Sequence, residues 1–321
     1  MQILVTGGAG FIGSQLTERL LQRGDRVTVL DNFDPYYDPA IKRANLAQAV
    51  QCETFSLVQA DIRDAERVDE LFRRQSFDAV VHLAALAGVR LSIEQPQQFV
   101  DVNVSGTLVL LEAARRCGKP RFVLASTSSV YGLSQCLPFR EDDPLLTPVS
   151  PYGATKIACE KLGHIYHSVH GLGVTSLRFF TAYGPRQRPD MAIHSFARAI
   201  LAGEELTLYG DGSTRRDYTY IDDIVGGIVA AIDARLSYDV INLGNGNPVE
   251  LRALVEMLEA VCGRQARVRH ASEQPGDVPH TCADISHARD VLGYEPLTPA
   301  SVGIPRFVEW LAGHVAATAV K

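Results

Sequence analysis

The sequence predicts an α/β protein: a Rossmann-type, doubly wound parallel sheet, followed by a smaller α/β C-terminal domain. Three observations carry that prediction. Short, wholly apolar runs alternate with longer amphipathic segments through the first half of the chain. A glycine-rich turn joins the first run to the first amphipathic segment, and the rhythm breaks near residue 184.

The runs Ile3–Thr6, Val27–Leu30, Phe55–Gln59, Ala79–Leu83, Phe122–Ala125 and Val174–Arg178 lack the polar alternation of a half-exposed sheet, so they read as buried parallel strands. Between them lie stretches of helical period. Ser14–Arg23 is closed by Gly24, in the place where a left-handed residue ends a helix. Alternating βα units of this length imply a parallel sheet covered on both faces. Residues 1–183 are therefore expected to form one domain and residues 184–321 mainly a cap. In the cap, Gly184-Pro185 opens an Arg- and Pro-containing loop, Ile193–Ala202 reads as a helix, and Tyr209-Gly210-Asp211-Gly212 as a turn. A strand at Val240–Leu243, within residues 238–246, is expected to return to the main sheet. A helix near Val249–Cys262 and a loop at Glu273–Pro279 follow, and Ala316–Lys321 is expected to fray.

With 321 residues and 46% hydrophobic content, the chain can bury one large core or two modest ones. A net charge of −6 and the absence of any run of five Lys/Arg argue against nucleic acid or an anionic membrane surface as partner. No apolar stretch approaches the roughly 18 residues of a membrane span. Met1 leads directly into a strand with no basic and apolar leader, so the expected location is the cytoplasm. Cys52, Cys117, Cys136, Cys159, Cys262 and Cys282 form no Cys-x-x-Cys pair, which suits reduced thiols better than disulfides or zinc.

The first strand runs into Thr6-Gly7-Gly8-Ala9-Gly10-Phe11-Ile12-Gly13, where a helix begins at once. Gly7, Gly10 and Gly13 give G-x-x-G-x-x-G, and Gly8, Gly10 and Gly13 also satisfy G-x-G-x-x-G. A backbone without Cβ atoms can turn tightly and approach a pyrophosphate, and the last glycine lets helix and sheet pack closely. The helix N-terminus, at Phe11, Ile12 and Gly13, then offers free N–H groups and partial positive charge to phosphates. Asp31 ends the second strand 18 residues past Gly13, close to the ~20 of the dinucleotide fingerprint. A carboxylate there accepts hydrogen bonds from ribose hydroxyls and repels a 2′-phosphate, so the expected cofactor is NAD rather than NADP.

Tyr152 and Lys156 are four apart in Ser150-Pro151-Tyr152-Gly153-Ala154-Thr155-Lys156, which stacks them on one helix face. Ala125-Ser126-Thr127-Ser128-Ser129-Val130-Tyr131-Gly132 follows the fifth strand and places its hydroxyls at the C-terminal edge of the sheet. Together with the glycine fingerprint, these segments resemble the extended short-chain dehydrogenase/reductase family. The resemblance implies Thr127 as the group that hydrogen-bonds the substrate hydroxyl, Tyr152 as acid/base and Lys156 as its partner. Asp61-Ile62-Arg63-Asp64 (adenine side), His82-Leu83-Ala84-Ala85 and Asn103 extend it over nearly the whole chain. A tyrosine with pKa near 10 is a poor base at neutral pH. Lys156 and a positive nicotinamide are expected to favour its phenolate.

Family members share oxidation to a 4-keto sugar and differ afterwards. Dehydratases resemble Thr-Asp-Glu before Val-Tyr-Gly, and UDP-glucuronate decarboxylases Thr-Ser-Glu. Here the residues are Thr127-Ser128-Ser129, so the extra acid is missing and 4-epimerisation remains. Arg178-Phe179-Phe180-Thr181-Ala182-Tyr183-Gly184-Pro185-Arg186-Gln187-Arg188-Pro189-Asp190-Met191-Ala192 is similar to UDP-glucuronate 4-epimerases, as are Asp31-Asn32-Phe33-Asp34-Pro35-Tyr36-Tyr37-Asp38 and Gln274-Pro275-Gly276-Asp277-Val278. That resemblance implies a UDP-sugar substrate whose C6 carboxylate is bound by Arg188, with Arg186 second and Thr181 assisting. Arg188 is also expected to hold the β-keto acid in poor alignment for CO₂ loss. Arg216 and Asp277 are assigned to the nucleotide half. Many members carry an Arg just before this Gly-Asp, where Gln274-Pro275 stands, which puts the second diphosphate contact in doubt.

UDP-glucose or UDP-N-acetylglucosamine 4-epimerisation remains open beside this reading, with decarboxylation third. A non-catalytic NAD-binding sensor or scaffold remains as another class. His164, His167 and His170 are spaced by three but lack a helper carboxylate pattern, so no metal is expected there. His82 is expected in the core. The resemblance also implies a homodimer paired through the apolar face of the Tyr152–Gly163 helix.

Overall fold

The computed structural model describes residues 1–272 and 274–319, so Glu273, the start of the expected loop, and Val320 and Lys321 of the expected frayed end lie outside the described residues. The chain begins β1 (Gln2–Thr6), α1 (Phe11–Gln22), β2 (Arg26–Asp31), α2 (Pro39–Asn45), β3 (Phe55–Gln59), α3 (Ala65–Arg74) and β4 (Ala79–His82). It continues through α4 (Val89–Glu94), α5 (Pro96–Phe99), α6 (Gly106–Arg116), β5 (Arg121–Thr127), α7 (Pro151–His170) and β6 (Val174–Phe179). Then come β7 (Thr181–Tyr183), α8 (Ala192–Ala202), β8 (Glu205–Tyr209), β9 (Arg215–Arg216), β10 (Tyr218–Tyr220), α9 (Ile221–Ala234) and β11 (Tyr238–Leu243). The described chain closes with β12 (Val249–Glu250), α10 (Leu251–Cys262), β13 (Arg267–Ala271), α11 (Ser286–Leu292) and α12 (Ala300–Ala319).

Seven parallel strands form the main sheet in the order β11-β6-β5-β4-β1-β2-β3. Successive side chains of β1 face opposite layers. Ile3 and Val5 join the core with Leu16 and Leu20 of α1 and Ile224 and Ile228 of α9. Leu4 joins Val68 and Leu71 of α3 and Leu110 and Leu111 of α6 on the other side. Both faces are thus covered, as wholly apolar strands require. The strand order reverses between β1 and β4, so the loops leaving their C-terminal ends part and open a crevice there. One strand departs from expectation: β3 is the edge of the sheet, and Leu57 is 41% exposed rather than buried. Its apolar run does not reveal that edge position.

After β6 the chain leaves the sheet, builds the cap and returns once, as β11 beside β6. Within the cap, β8 pairs with β13, β9 with β12 and β7 with β10. The helix expected from Val249 starts instead at Leu251, because Val249 and Glu250 pair with Arg216 and Arg215. α12 continues to Ala319, past the point where fraying was expected, with Phe307, Val308 and Leu311 buried in the core.

Beneath the crevice lies a buried ion pair. Arg178 of β6 donates through Nε and Nη2 to the two carboxylate oxygens of Glu160 of α7, at 2.9 and 2.8 Å, with both side chains 4% exposed. Ser126 donates to the same carboxylate, and Arg178 Nη1 donates to the Tyr131 hydroxyl, which donates to Asn242. Removing one charge of such a pair strands the other. We expect Glu160→Gln to cost about 3 kcal/mol in urea unfolding, and the double change Glu160→Met, Arg178→Met to cost much less. Equal losses in the two proteins would show that packing, not the stranded charge, dominates.

Candidate active site

The turn after β1 has the shape its glycines allow. Gly7 sits at φ +70, and a Cβ on Gly13 would lie 2.2 Å from the Gly7 carbonyl oxygen, so helix and turn close only without one. Gly10 is the N-cap of α1 and offers no side-chain cap. The first-turn N–H groups therefore face a cleft of about 1200 Å³ with no side chain in competition. Gly7, Gly10, Phe11, Ile12, Gly13, Asp31, Asn32, Asp61, Ile62, Leu83, Ala84 and Ala85 all line it. Asp31 accepts from the backbone N–H groups of Ala9 (3.0 Å) and Phe33 (2.8 Å), which fixes its carboxylate at the rim. Asn32 donates to Asp61, whose carboxyl is held down at about 2 by hydrogen bonds from Arg63, against some burial. Uncapped N–H groups, a fixed rim carboxylate and a slot without Cβ atoms fit a dinucleotide.

His82 ends β4 in the core, and its bonds specify its tautomer. Thr107 donates its hydroxyl proton to the Asn103 carbonyl, so Nε2 of His82 donates to Thr107 Oγ at 2.9 Å. Nδ1 then accepts from Thr6 at 2.7 Å, and Thr6 in turn accepts the Ala84 N–H at 3.3 Å. This chain, with the paired bonds between Asn103 and Leu86, positions the 83–86 loop along the cleft. Burial, and secondarily Lys156, lower the His82 pKa to about 3. The unfolded imidazole takes up a proton near pH 6.5 and the folded one does not, so stability falls as pH drops from about 6.5 towards 3. The loss is up to about 1.4 kcal/mol per pH unit. Unfolding of His82→Gln is expected to be flatter over this window; an unchanged slope would locate the acid sensitivity elsewhere.

Tyr152 and Lys156 lie in the first two turns of α7, which Pro151 begins and Ser150 caps by accepting from the Gly153 N–H. The Tyr152 ring meets Phe99 edge-on at 6.1 Å. Burial raises its pKa, while a hydrogen bond with Thr127 and the charge of Arg188 lower it. Lys156 is buried and donates to the Ala125 carbonyl at 2.8 Å. Burial lowers its pKa, opposed by Cys159 and Glu160. Lys156 thus sits one helical turn from Tyr152 with its ammonium anchored to a backbone carbonyl, and Arg188 is a second cation whose charge lowers the phenol's pKa. Thr127 begins the short 3₁₀ turn Ser128–Val130 and accepts from the Ser129 N–H at 3.2 Å, so Thr127, Ser128 and Ser129 line the cleft side by side.

Opposite them stands the 181–190 segment. Thr181 and Arg188 line the cleft, and Arg188 donates to both oxygens of Asp190 (3.0 and 2.8 Å) and to the Ala87 carbonyl (3.2 Å). Arg186 does not join them. Its backbone is left-handed at φ +68, and its guanidinium turns to α1, pairing with Glu18 at 2.8 Å and Ser14 at 3.3 Å. The sequence-based role of Arg186 in holding substrate is therefore corrected to an anchor on the cofactor helix. Arg216 and Asp277 line the far end. Arg216 has no ion pair among the described residues and donates to the Arg215 and Pro279 carbonyls, so its charge is available to a diphosphate.

Sequence reasoning missed Arg90, which pairs with Asp277 at 3.7 Å and stacks on Tyr209 at 4.5 Å. It brings from α4 the cation that the 274–277 loop lacks, and no local pattern around it signals this. Tyr36 and Asp190 carry no local sequence signal of a role, yet Tyr36 donates to Asp190 at 3.1 Å. Ser129, noted before only as a missing acid, also lines the cleft. The histidines of α7 are occupied otherwise, with His164 and His167 against Tyr238 and His170 against Tyr166. Among the described residues, no cluster could hold a metal ion and no helix is long and apolar enough to cross a membrane.

With this geometry in place, similarity to known proteins is informative. Residues 4–306 match the family described as GDP-mannose 4,6 dehydratase. UDP-glucuronate 4-epimerase 1 of Arabidopsis thaliana is 44% identical over 98% of this chain and 77% of its own length. UDP-glucuronate 4-epimerase of Thermodesulfobacterium geofontis is 43% identical over 96% of this chain and 95% of its own. The crystal structure of the UDP-glucuronic acid 4-epimerase of Bacillus cereus, in complex with UDP-glucuronic acid and NAD, superposes with a TM-score of 0.93. It is 37% identical and covers 98% of this chain and all of that one.

Proposed function

The chain belongs to the GDP-mannose 4,6-dehydratase family of NAD-dependent epimerases and dehydratases, and from that premise we propose that it epimerises UDP-glucuronate at C4, giving UDP-galacturonate. One observation carries the reading: Thr127, Tyr152, Thr181 and Arg188 line one glycine-floored dinucleotide cleft together, and the charge of Arg188 acts to lower the phenol's pKa. NAD would be held by the Gly7–Gly13 turn, the α1 N-terminus and Asp31, and would supply reversible hydride transfer at C4 of the sugar. Thr127 holds the C4 hydroxyl, and Tyr152 takes its proton and later gives it back. Arg188 binds the C6 carboxylate. Ser129 stands where a dehydratase or decarboxylase would carry an acid, so the ketone has no group beside it to drive elimination. Arg216, with Arg90 beyond it, holds the diphosphate while the sugar is free to rotate.

NMR of the purified protein with UDP-glucuronate, first without and then with added NAD, tests this. UDP-galacturonate is the expected product. No conversion under either condition, with UDP-glucose or UDP-N-acetylglucosamine reacting instead, would replace the reading with the neutral-sugar one. That second reading is favoured by a specific contact: Asp190 already neutralises Arg188.

We further propose a cytoplasmic homodimer. Six free thiols suit a reducing compartment. Gly163 of α7 packs inward, where a Cβ would lie 2.9 Å from Val174, but Ala154 is exposed and Ala158 and Leu162 are half-buried on the outward face, which supports pairing through the Tyr152–Gly163 stretch. Exposed apolar side chains lie further along, at Ile165 and Val169 of α7 and Leu108 of the adjacent α6, and these support pairing there.

A further inference from the structure

Arg188 is not a bare cation awaiting an anion. Its Nε and Nη2 are taken by the two oxygens of Asp190, two residues on, and its Nη1 by the Ala87 carbonyl. Three of the five guanidinium donors are thus engaged. The arrangement is braced: the Tyr36 hydroxyl donates to Asp190, and the Tyr36 ring lies under the guanidinium with 5.1 Å between Arg Cζ and the ring centre. The Arg188 side chain is only 18% exposed, against 40% for Asp190, so the carboxylate is the partner open to solvent and the more easily released.

A sugar carboxylate arriving at this guanidinium meets a fork already filled by a carboxylate. It must take the two remaining N–H groups with Asp190 close by, or displace Asp190 into solvent. Both routes make Asp190 a competitor of an anionic C6 group, through repulsion in the first case and direct exchange in the second. A hydroxymethyl group carries no charge and feels neither penalty. We propose that Asp190 is a specificity-determining residue: its carboxylate stands in for the substrate's on Arg188 and sets how strongly the site prefers an acidic over a neutral UDP-sugar. The inference rests on the proposed role of Arg188 toward the C6 carboxylate. It adds that the preference is held below its ceiling, so product and substrate, which carry the same carboxylate, can leave.

The test is calorimetric binding of UDP-glucuronate and UDP-glucose to the NAD-loaded wild type, Asp190→Asn and Asp190→Ala. The ratio of affinities, acid over neutral, is expected to rise about fivefold or more in both variants, with UDP-glucose affinity as the internal control for an intact site. A ratio that is unchanged or falls in both overturns the inference and makes Asp190 a support for Arg188. A parallel loss of affinity for both sugars leaves the ratio unchanged and likewise overturns it. Conversion of UDP-glucuronate by the wild type is assayed alongside. If it is absent, the proposed function and this inference fail together; if it is present with an unchanged ratio, only Asp190's role fails.

Discussion

Replacing Tyr152 with phenylalanine is expected to lower kcat/KM for UDP-glucuronate by about 10³-fold, a loss within the range for removing a positioned acid/base. The change deletes one oxygen and leaves the ring against Phe99, so the cleft keeps its shape. What disappears is a hydroxyl that lines the cleft with Thr127 and sits in the field of Arg188. None of three polar neighbours substitutes. Lys156 is committed to the Ala125 carbonyl, and Ser128 and Ser129 are hydroxyls with no base beside them. Because the loss is in proton transfer, kcat should fall far more than KM rises. Burial raises the phenol's pKa, so wild-type kcat/KM should rise with pH through the range where Tyr152 ionises, and the variant should lose that rise. Steady-state kinetics across pH decides it; a fall of less than tenfold would move the acid/base role to another group.

Arg188→Ala is expected to reduce kcat/KM for UDP-glucuronate by about 10²-fold, corresponding to some 3 kcal/mol for a charge-assisted contact in a largely enclosed site. UDP-glucose should be affected several-fold at most, since its hydroxymethyl group carries no charge. The product distribution is the sharper readout. The 4-keto acid loses CO₂ when its carboxylate bond aligns with the ketone, and Arg188 is the group placed to fix that rotation. The variant should therefore release a UDP-pentose beside the epimer, visible by NMR. An unchanged affinity and an unchanged ratio of epimer to decarboxylated product would remove Arg188 from both roles.

Much of the fold could be read because its signals are local. Apolar runs without alternation mark strands buried on both faces, and a glycine turn between strand and helix has few other uses. Leu57 shows the limit: it lies in an apolar run, yet it is 41% exposed on the edge strand, a position that local sequence does not encode. The α7 helix shows another, since Gly163 reveals close packing on Val174 only when the sheet is seen. In the site, residues on strand ends and on the first turns of helices were legible, because those positions fix direction as well as place. Arg186 and Arg188 are two apart on one loop and read alike, yet a left-handed backbone at Arg186 sends their guanidinium groups to different partners. Arg90 meets Asp277 from a distant part of the chain, a pairing that spacing does not encode.

The misread arginine has a consequence of its own. Gln15 of α1 donates to the Pro185 carbonyl at 2.7 Å, and Arg186 grips Ser14 and Glu18 of the same helix. The loop that presents Arg188 is thus moored to the helix whose uncapped N-terminus lines the dinucleotide cleft. Two ligands that settle on opposite ends of one moored unit share a free energy of coupling, and such coupling is reciprocal. Whatever tightening the cofactor imposes on the grip for the sugar acid, the sugar acid returns to the cofactor in equal measure. An enzyme that must hand a hydride back to the molecule it came from would gain from positive coupling of this kind, because the dinucleotide would then stay in place while the oxidised sugar is in the site.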